Sequence, residues 1–399
     1  MPNRIASALR VALALVFLLS CVACGANEIG SSPESSTPES EPRPTTEARE
    51  ATAGPPAEGE REASDRDPVE VERSVVATGL EVPWGLAFLP GGDALFTERD
   101  SGRLLRMDAS GNVEEVQTLP TRGYGEGGSL GLAVSPGYER DGYVYAYYTT
   151  GVDNRVVRFR LGEEPEPILT GIPFNTYHDG GRIAFGPDGM LYVATGDAGD
   201  PTTSQDRGSL GGKILRLTPD GGVPQDNPFP GSPVYSYGHR NVEGLAWDES
   251  GRLYASEFGQ DAFDEVNLIR PGENYGWPEF EGDGGEEAEA AGFVNPVTTW
   301  PTSEASPSGA EILKDGAIPQ WEGDLFVAAL RGQRLWRLEL GPGGRVVGRD
   351  ELLRDEVGRI RNVIQAPDGS LWVTTSNLDG RGSPVSEDDR IIRLAPEGR

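Results

Sequence analysis

Apolar residues along most of this chain alternate with polar or small ones in short runs, and each run stops at a turn built from Gly, Pro and Asp. Alternation with period two places successive side chains on opposite faces of a strand, and Gly-containing turns between such runs signal hairpins. One pattern recurs: an apolar strand, a turn of Gly with Asp or Pro, then a second strand of apolar and aromatic residues. Its clearest copies are residues 85–96 (GLAFLPGGDALF), 183–193 (IAFGPDGMLYV), 244–254 (GLAWDESGRLY) and 363–372 (VIQAPDGSLW). Looser copies start near Gly131 and near Ile318. Each leads to a third strand with a basic–apolar beat, from Arg103 to Arg106, Arg155 to Arg158, Lys213 to Arg216, Val266 to Arg270, Arg334 to Arg337 and Arg390 to Arg393. Self-similarity at roughly 45 to 75 residues marks a β-propeller, in which every unit is a small antiparallel sheet.

Six copies predict an all-β, six-bladed β-propeller with four-stranded antiparallel blades over residues 73–399. No helix longer than a turn or two is legible, and the acidic stretch 281–291 reads as a loop. The copies at Ile183 and Gly244 carry long insertions, of the kind that build a site over the central channel. Taken alone, the fold is equally that of a binding scaffold without chemistry.

The first residues follow another pattern. Arg4 and Arg10 precede an apolar run at 11–19, too short to span a bilayer comfortably and laid out like a signal peptide. It leads to Cys21 and Cys24, the only cysteines of the chain. A small residue before a cysteine at the end of such a run resembles a bacterial lipoprotein processing site, and either cysteine fits. Residues 1–24 are therefore expected to be a signal peptide of lipoprotein type, with an ordinary cleaved signal as the alternative. Localisation would be extracytoplasmic, as a cell-membrane lipoprotein of a bacterium or otherwise secreted. Residues 25–72, rich in Ser, Pro, Glu and Thr, bury too little surface to offset their ordering entropy and read as a disordered tether. The rest of the chain is cysteine-free, so no disulfide stabilises it.

A net charge of −29 over 399 residues argues against nucleic acid and against adhesion to anionic membranes. Membrane contact is expected only through an N-terminal lipid. Lys213 and Lys314 are the only lysines, so positive charge is almost all arginine, which suits planar recognition of carboxylates.

His178 is one of two histidines. It precedes a Gly-Gly pair where a strand begins, and Asp197 follows the end of the next apolar alternation. A carboxylate can fix the tautomer of a histidine and raise its basicity. For an isolated pair, the plainer reading is a surface histidine beside a turn aspartate. Other segments change that: 175–182 (NTYHDGGR), 238–241 (GHRN), 257–267 (EFGQDAFDEVN), 272–278 (GENYGWP), 300–302 (WPT) in an insertion, and 358–361 (GRIR).

Together, in order and over residues 75–397, these segments resemble the soluble sugar dehydrogenases that depend on pyrroloquinoline quinone (PQQ), the family of soluble glucose and aldose dehydrogenases. The resemblance implies a propeller with PQQ lying flat over the channel and oxidation of aldose sugars at C1 to lactones. His178 matches the base that takes the anomeric hydroxyl proton, and Asp197 the carboxylate that orients it. Arg240 and Asn241 match residues contacting the quinone oxygens. Arg359 and Arg361 match two cations for the cofactor's carboxylates, and Arg331 stands where the glucose enzyme has a lysine. Trp300 and Thr302 match cofactor-packing and hydrogen-bonding positions. Glu126 falls where the glucose enzyme has a glutamine near the substrate, and Tyr177 replaces an acidic neighbour of the base, so glucose specificity does not follow.

Calcium is implied in the same way. Gly259 and Gln260 match the backbone carbonyls holding an ion that bridges to the cofactor, although the family usually has proline at Gln260. Glu265 and Tyr275 match a second, structural calcium site, Glu265 by its side chain and Tyr275 by its backbone. The electrons would pass to an external acceptor. His239 matches no catalytic role and is expected to be structural. Two other classes compete: a non-enzymatic propeller that binds sugar or a protein, and a calcium-dependent propeller lactonase, which needs no electron acceptor and no arginines at 240, 359 and 361.

Overall fold

The computed structural model describes residues 61–62 and 69–398. The expected signal peptide and most of the expected tether lie outside the described residues. Six sheets follow one another along the chain. Blade 1 is Pro83–Phe88, Ala94–Glu98, Arg103–Met107 and Val113–Thr118; blade 2 is Ser129–Val134, Tyr143–Thr149, Asn154–Arg160 and Glu166–Ile172. Blade 3 is Ile183–Phe185, Leu191–Ala194, Lys213–Leu217 and Val234–Tyr237; blade 4 is Val242–Trp247, Leu253–Glu257, Phe263–Ile269 and Thr298–Pro301. Blade 5 is Pro307–Ile312, Leu325–Ala329, Arg334–Leu340 and Val346–Leu352, with the short parallel strand Arg61–Glu62 added at its rim. Blade 6 takes Ile360–Gln365, Leu371–Thr375 and Ile391–Pro396 from the C-terminal end and Val71–Ala77 from the N-terminal end. The expected six-bladed ring of four-stranded antiparallel sheets is the fold.

Burial falls from axis to rim, as the hydrophobic pattern demands. The second strands Ala94–Glu98, Leu253–Glu257 and Leu325–Ala329 are buried at every position, because both faces of a middle strand meet neighbouring blades. The rim strand Val113–Thr118 has no buried residue. Aromatic residues fill the seams: Trp84, Tyr145 and Tyr147 pack with Ile183, Leu191 and Val193, and Trp321 and Phe326 pack with Ile360, Val363 and Ile392.

The repeated Asp and the repeated Arg of the sequence meet. In the turn between first and second strands, Asp188, Asp248 and Asp368 each accept a backbone amide two residues on, from Met190, Ser250 and Ser370. In blades 1, 3, 5 and 6 the basic residue of the third strand then pairs with the acid of that turn or just beside it, while Arg158 of blade 2 pairs with Glu166 on the rim strand. Arg106 binds Asp93, Arg216 binds Asp188 at 2.9 Å, Arg337 binds Asp324 at 2.7 Å and Arg393 binds Asp368 at 2.7 Å. The motif thus ties the third strand to the preceding hairpin inside one blade.

Three features differ from the sequence reading. The fifth unit opens at Pro307 and not near Ile318, where only the single turn Pro319–Trp321 forms. Its inner strand, PSGAEI, is poor in large apolar residues because the axis is crowded: a Cβ on Gly309 would lie 2.1 Å from the Asn362 side chain. The 300–302 segment is not in an insertion, since Thr298–Pro301 is the rim strand of blade 4. Within the acidic stretch read as a loop, Gly285–Ala291 forms a short helix ended by left-handed Gly292. Among the described residues no helix is long and apolar enough to cross a membrane.

Candidate active site

The connections entering each inner strand, together with the loops between second and third strands, gather the candidate residues on one face. His178 lies in the approach to blade 3 and Asp197 in that blade's second loop. The His178 Nδ1 lies 2.7 Å from Asp197 Oδ1. Asp197 is fully buried and takes two further donors, Gly199 N at 2.7 Å and Trp277 Nε1 at 2.9 Å. A carboxylate accepts only, so this contact places the imidazole proton on Nδ1 and leaves Nε2 as a free acceptor. The His178 side chain is 14% exposed, enough for Nε2 to reach a ligand.

His178 sits at φ 63°, a left-handed conformation uncommon outside glycine. Two contacts hold it there: His178 N donates to Glu126 Oε2 at 2.9 Å, and His178 O accepts from Ala198 N at 3.1 Å. Glu126 also pairs with Arg381 at 2.8 Å. Burial opposes its ionisation, yet the His178 amide and the Arg381 guanidinium hold Glu126 below the usual carboxylate range. Tyr177 stands edge-on to the His178 ring with centroids 4.7 Å apart, half open to solvent.

A cavity of about 440 Å³ brings together Glu126, His178, Arg240, Asn241, Gly259, Gln260, Thr302, Arg331 and Arg359. A second, of about 250 Å³, contains Arg361, Glu243, Asp379 and Trp84; Glu126, Phe258 and Arg381 border both. A larger cavity of about 550 Å³ opens at the seam of blades 1 and 6 and contains none of the candidate residues.

The cations of this face are unevenly neutralised. Arg331 makes no ion pair or hydrogen bond with any described residue. Arg359 is held by Asp379 at 2.9 Å, and Arg361 by Glu243 at 2.7 Å. Burial pulls both Arg240 and Arg359 below the usual guanidinium range. The Nε atoms of Arg240 and Arg361 are buried without a partner. Buried donors without acceptors, beside one unpaired guanidinium, fit an anionic ligand with several carboxylates. Asn241 Oδ1 accepts from Gly180 N at 2.9 Å, which ties the approach to blade 4 to the turn after His178.

Cation-holding groups fall into two places. Gly259 and Gln260 line the first cavity, and their carbonyl oxygens receive no hydrogen bond from a described residue. Glu265 lies below, buried outside the cavity, with Oε1 accepting from Gly282 N at 2.5 Å and Oε2 from Asn267 Nδ2 at 3.1 Å. Burial, then the charge of Glu257, pushes Glu265 up to about 8. The neighbouring Asn267 Oδ1 is buried with no donor. Excess acceptors of this kind fit a hard cation with oxygen ligands. Among the described residues no three His, Cys, Asp or Glu side chains are grouped to hold a metal.

Tyr275 stacks on His239 at 4.8 Å, and His239 is satisfied on both nitrogens, by Glu257 and Ser236 at 2.8 Å each. His239 is structural in its contacts, as expected. Trp300 is buried among the apolar residues of blades 4 and 5, tilted on Trp336 at 5.5 Å, and its Nε1 has no partner. It sits on the rim strand directly opposite the cavity residue Asp264, with its ring packed between blades.

Sequence reasoning missed Trp277, which fixes Asp197 and lies 5.4 Å from the Arg240 guanidinium. It stands within a quoted segment, but no spacing connects it to an aspartate eighty positions earlier. Asp379 and Glu243, the anchors of Arg359 and Arg361, were missed for the same reason.

A carboxylate-held imidazole facing clustered guanidinium groups, on one end of a six-bladed ring, defines a propeller with an enzyme-type site rather than a bare scaffold. Residues 80–391 match the family described as Glucose / Sorbosone dehydrogenase, and the chain belongs to that family. It is 52% identical to the PQQ-bound aldose sugar dehydrogenase of Streptomyces coelicolor, covering 82% of this chain and 99% of that one with a TM-score of 0.76. It is 31% identical to an aldose sugar dehydrogenase of Escherichia coli, over 80% of this chain and 94% of the relative. To the quinoprotein glucose dehydrogenase B of Acinetobacter calcoaceticus it is 29% identical, over 80% of this chain and 88% of the relative.

Proposed function

We propose that the protein is a PQQ-dependent dehydrogenase that oxidises aldose sugars at C1 to lactones and hands the electrons to an external acceptor. The observation that carries this reading is the His178–Asp197 pair opening into the cavity that also contains Arg240, Arg331 and Arg359. When bound, PQQ supplies a quinone that accepts a hydride from the sugar carbon.

His178 Nε2 takes the proton of the sugar's C1 hydroxyl, because loss of that proton is what makes hydride departure easy. Asp197 keeps Nδ1 protonated and stabilises the imidazolium that results. Glu126 and Tyr177 flank this base and shape the sugar subsite. Arg240 and Asn241 would contact the quinone oxygens, where a fixed cation favours negative charge. Arg331, Arg359 and Arg361 would hold the cofactor's carboxylates, and Thr302 would offer it a hydrogen bond. The Gly259 and Gln260 carbonyls would hold one calcium ion, and Glu265 with the Tyr275 carbonyl would hold a second, structural one. Trp300 would pack against the cofactor, beside Thr302. Residues 1–24 would export the protein and, through Cys21 or Cys24, anchor it to the outer face of a membrane.

Purified protein given PQQ and calcium should reduce an artificial dye in the presence of aldoses. His178→Gln should still bind PQQ, read from its absorbance, and lose turnover by roughly a hundredfold or more. Unchanged turnover in that variant removes His178 from the mechanism. Lactone hydrolysis with no electron acceptor would move the protein to the hydrolase class.

A further inference from the structure

Glu281 stands in the insertion of blade 4 and was singled out by no motif. Its Oε1 accepts four consecutive backbone amides: Gln260 N at 2.6 Å, Asp261 N and Ala262 N at 2.9 Å, and Phe263 N at 3.1 Å. In a planar trans peptide unit the N–H of one residue and the C=O of the residue before it point in opposite directions. None of the peptide bonds from 259 to 263 is cis. Turning amides 260–263 toward Glu281 therefore turns carbonyls 259–262 away from it. Thr302 takes two of those: its N donates to Ala262 O at 3.3 Å and its hydroxyl to Asp261 O at 3.4 Å. Gly259 O and Gln260 O remain, side by side, on a loop lining the cavity of His178 and Arg240. The loop closes this tightly only with glycine, since a Cβ on Gly259 would lie 1.8 Å from Phe263 O and 2.7 Å from Glu281 Oε1.

We propose that Glu281 is a positioning residue that shapes residues 259–262 into a two-carbonyl seat for a hard divalent cation. It does so by gathering their amides on one carboxylate oxygen, and its charge adds attraction from behind the loop. This rests on the calcium reading of Gly259 and Gln260 given above.

The test is a calcium titration of purified protein at fixed PQQ, following cofactor binding by absorbance rather than turnover. Glu281→Ala should raise the half-saturating calcium about 10- to 100-fold, the usual range for losing an outer-shell partner of a metal ligand. Excess calcium should then restore full PQQ binding, which repair of a general folding defect would not require. Glu281→Gln keeps an acceptor oxygen without the charge and should fall between wild type and Glu281→Ala. A wild type that needs calcium beside a Glu281→Ala variant with the same requirement overturns this inference alone. A wild type that binds PQQ equally with a chelator present overturns the calcium reading as well. Should Glu281→Ala not fold, a Glu281→Gln variant with the wild-type requirement overturns it equally.

Discussion

Next to the proposed base, Asp179 is nearly buried, and its two carboxylate oxygens are treated unequally. Oδ1 accepts from Asn154 Nδ2 at 2.9 Å and from Asn175 N at 3.1 Å, whereas Oδ2 is buried with no partner. Burial, only partly offset by those two donors, pushes its pKa up to about 7 from an ordinary 3.8. The folded state therefore keeps a proton that the unfolded chain releases between those values. By linkage, its contribution to stability is fullest below the unfolded pKa and is lost as pH rises from about 4 to about 7. Asp179→Asn should flatten that part of the stability profile and narrow the gap between pH 5 and pH 8 by on the order of 3 kcal/mol. Urea unfolding midpoints at the two pH values measure it. The same slope in variant and wild type would show that Asp179 is ionised throughout.

Within a blade, the Arg of the third strand and the Asp near the first turn recur, but their surroundings differ. Arg337 and Asp324 are both buried, whereas Arg393 and Asp368 are partly exposed. Removing one member of a buried pair leaves an uncompensated charge and costs about 3–5 kcal/mol, while an exposed pair contributes about 1 kcal/mol or less. Arg337→Met should therefore lower the urea midpoint far more than Arg393→Met, although the sequence motif is the same. Equal effects would mean the pairing motif is worth the same wherever it falls. The elements themselves were largely legible. Strand, turn and third-strand beat repeat because every blade solves the same packing problem, and repetition makes each copy support the others. The fifth unit was misplaced because its inner strand meets a crowded axis with Pro, Ser, Gly and Ala, and so lacks the apolar run that marks the rest. Among site residues, His178 and Asp197 were readable because a single hairpin, Ile183–Phe185 and Leu191–Ala194, connects them at short spacing. Trp277, Asp379 and Glu281 were not, since each acts through a contact between loops that only the folded ring brings together.

Over the whole molecule, the ring is closed by joining opposite ends of the sequence. Val71–Ala77 pairs antiparallel with Ile391–Pro396, from Val71 against Pro396 to Ala77 against Ile391. Among the described residues it is the one fourth strand of a blade supplied from the other end of the chain, so it bears a load that no sequence repeat reveals. Without it the strand Ile391–Pro396 becomes an open edge, and backbone groups that now pair inside blade 6 become available to another chain. Its side chains matter less, since Val75 is about half exposed and only Ala77 is buried in this strand. Closure thus depends on backbone hydrogen bonds more than on apolar burial. The strand Arg61–Glu62, by contrast, adds only two paired positions to the already complete blade 5. Deleting residues 1–70 should accordingly shift the thermal midpoint by only about 2 °C, whereas deleting 1–77 should lower it by about 8 °C or more and promote self-association, on the scale where 1 kcal/mol moves a domain of this size by a few degrees. Scanning calorimetry and light scattering on the two truncated proteins separate the cases. If both behave alike, the ring is held by its seams, and the joining of the chain's two ends is incidental to its stability.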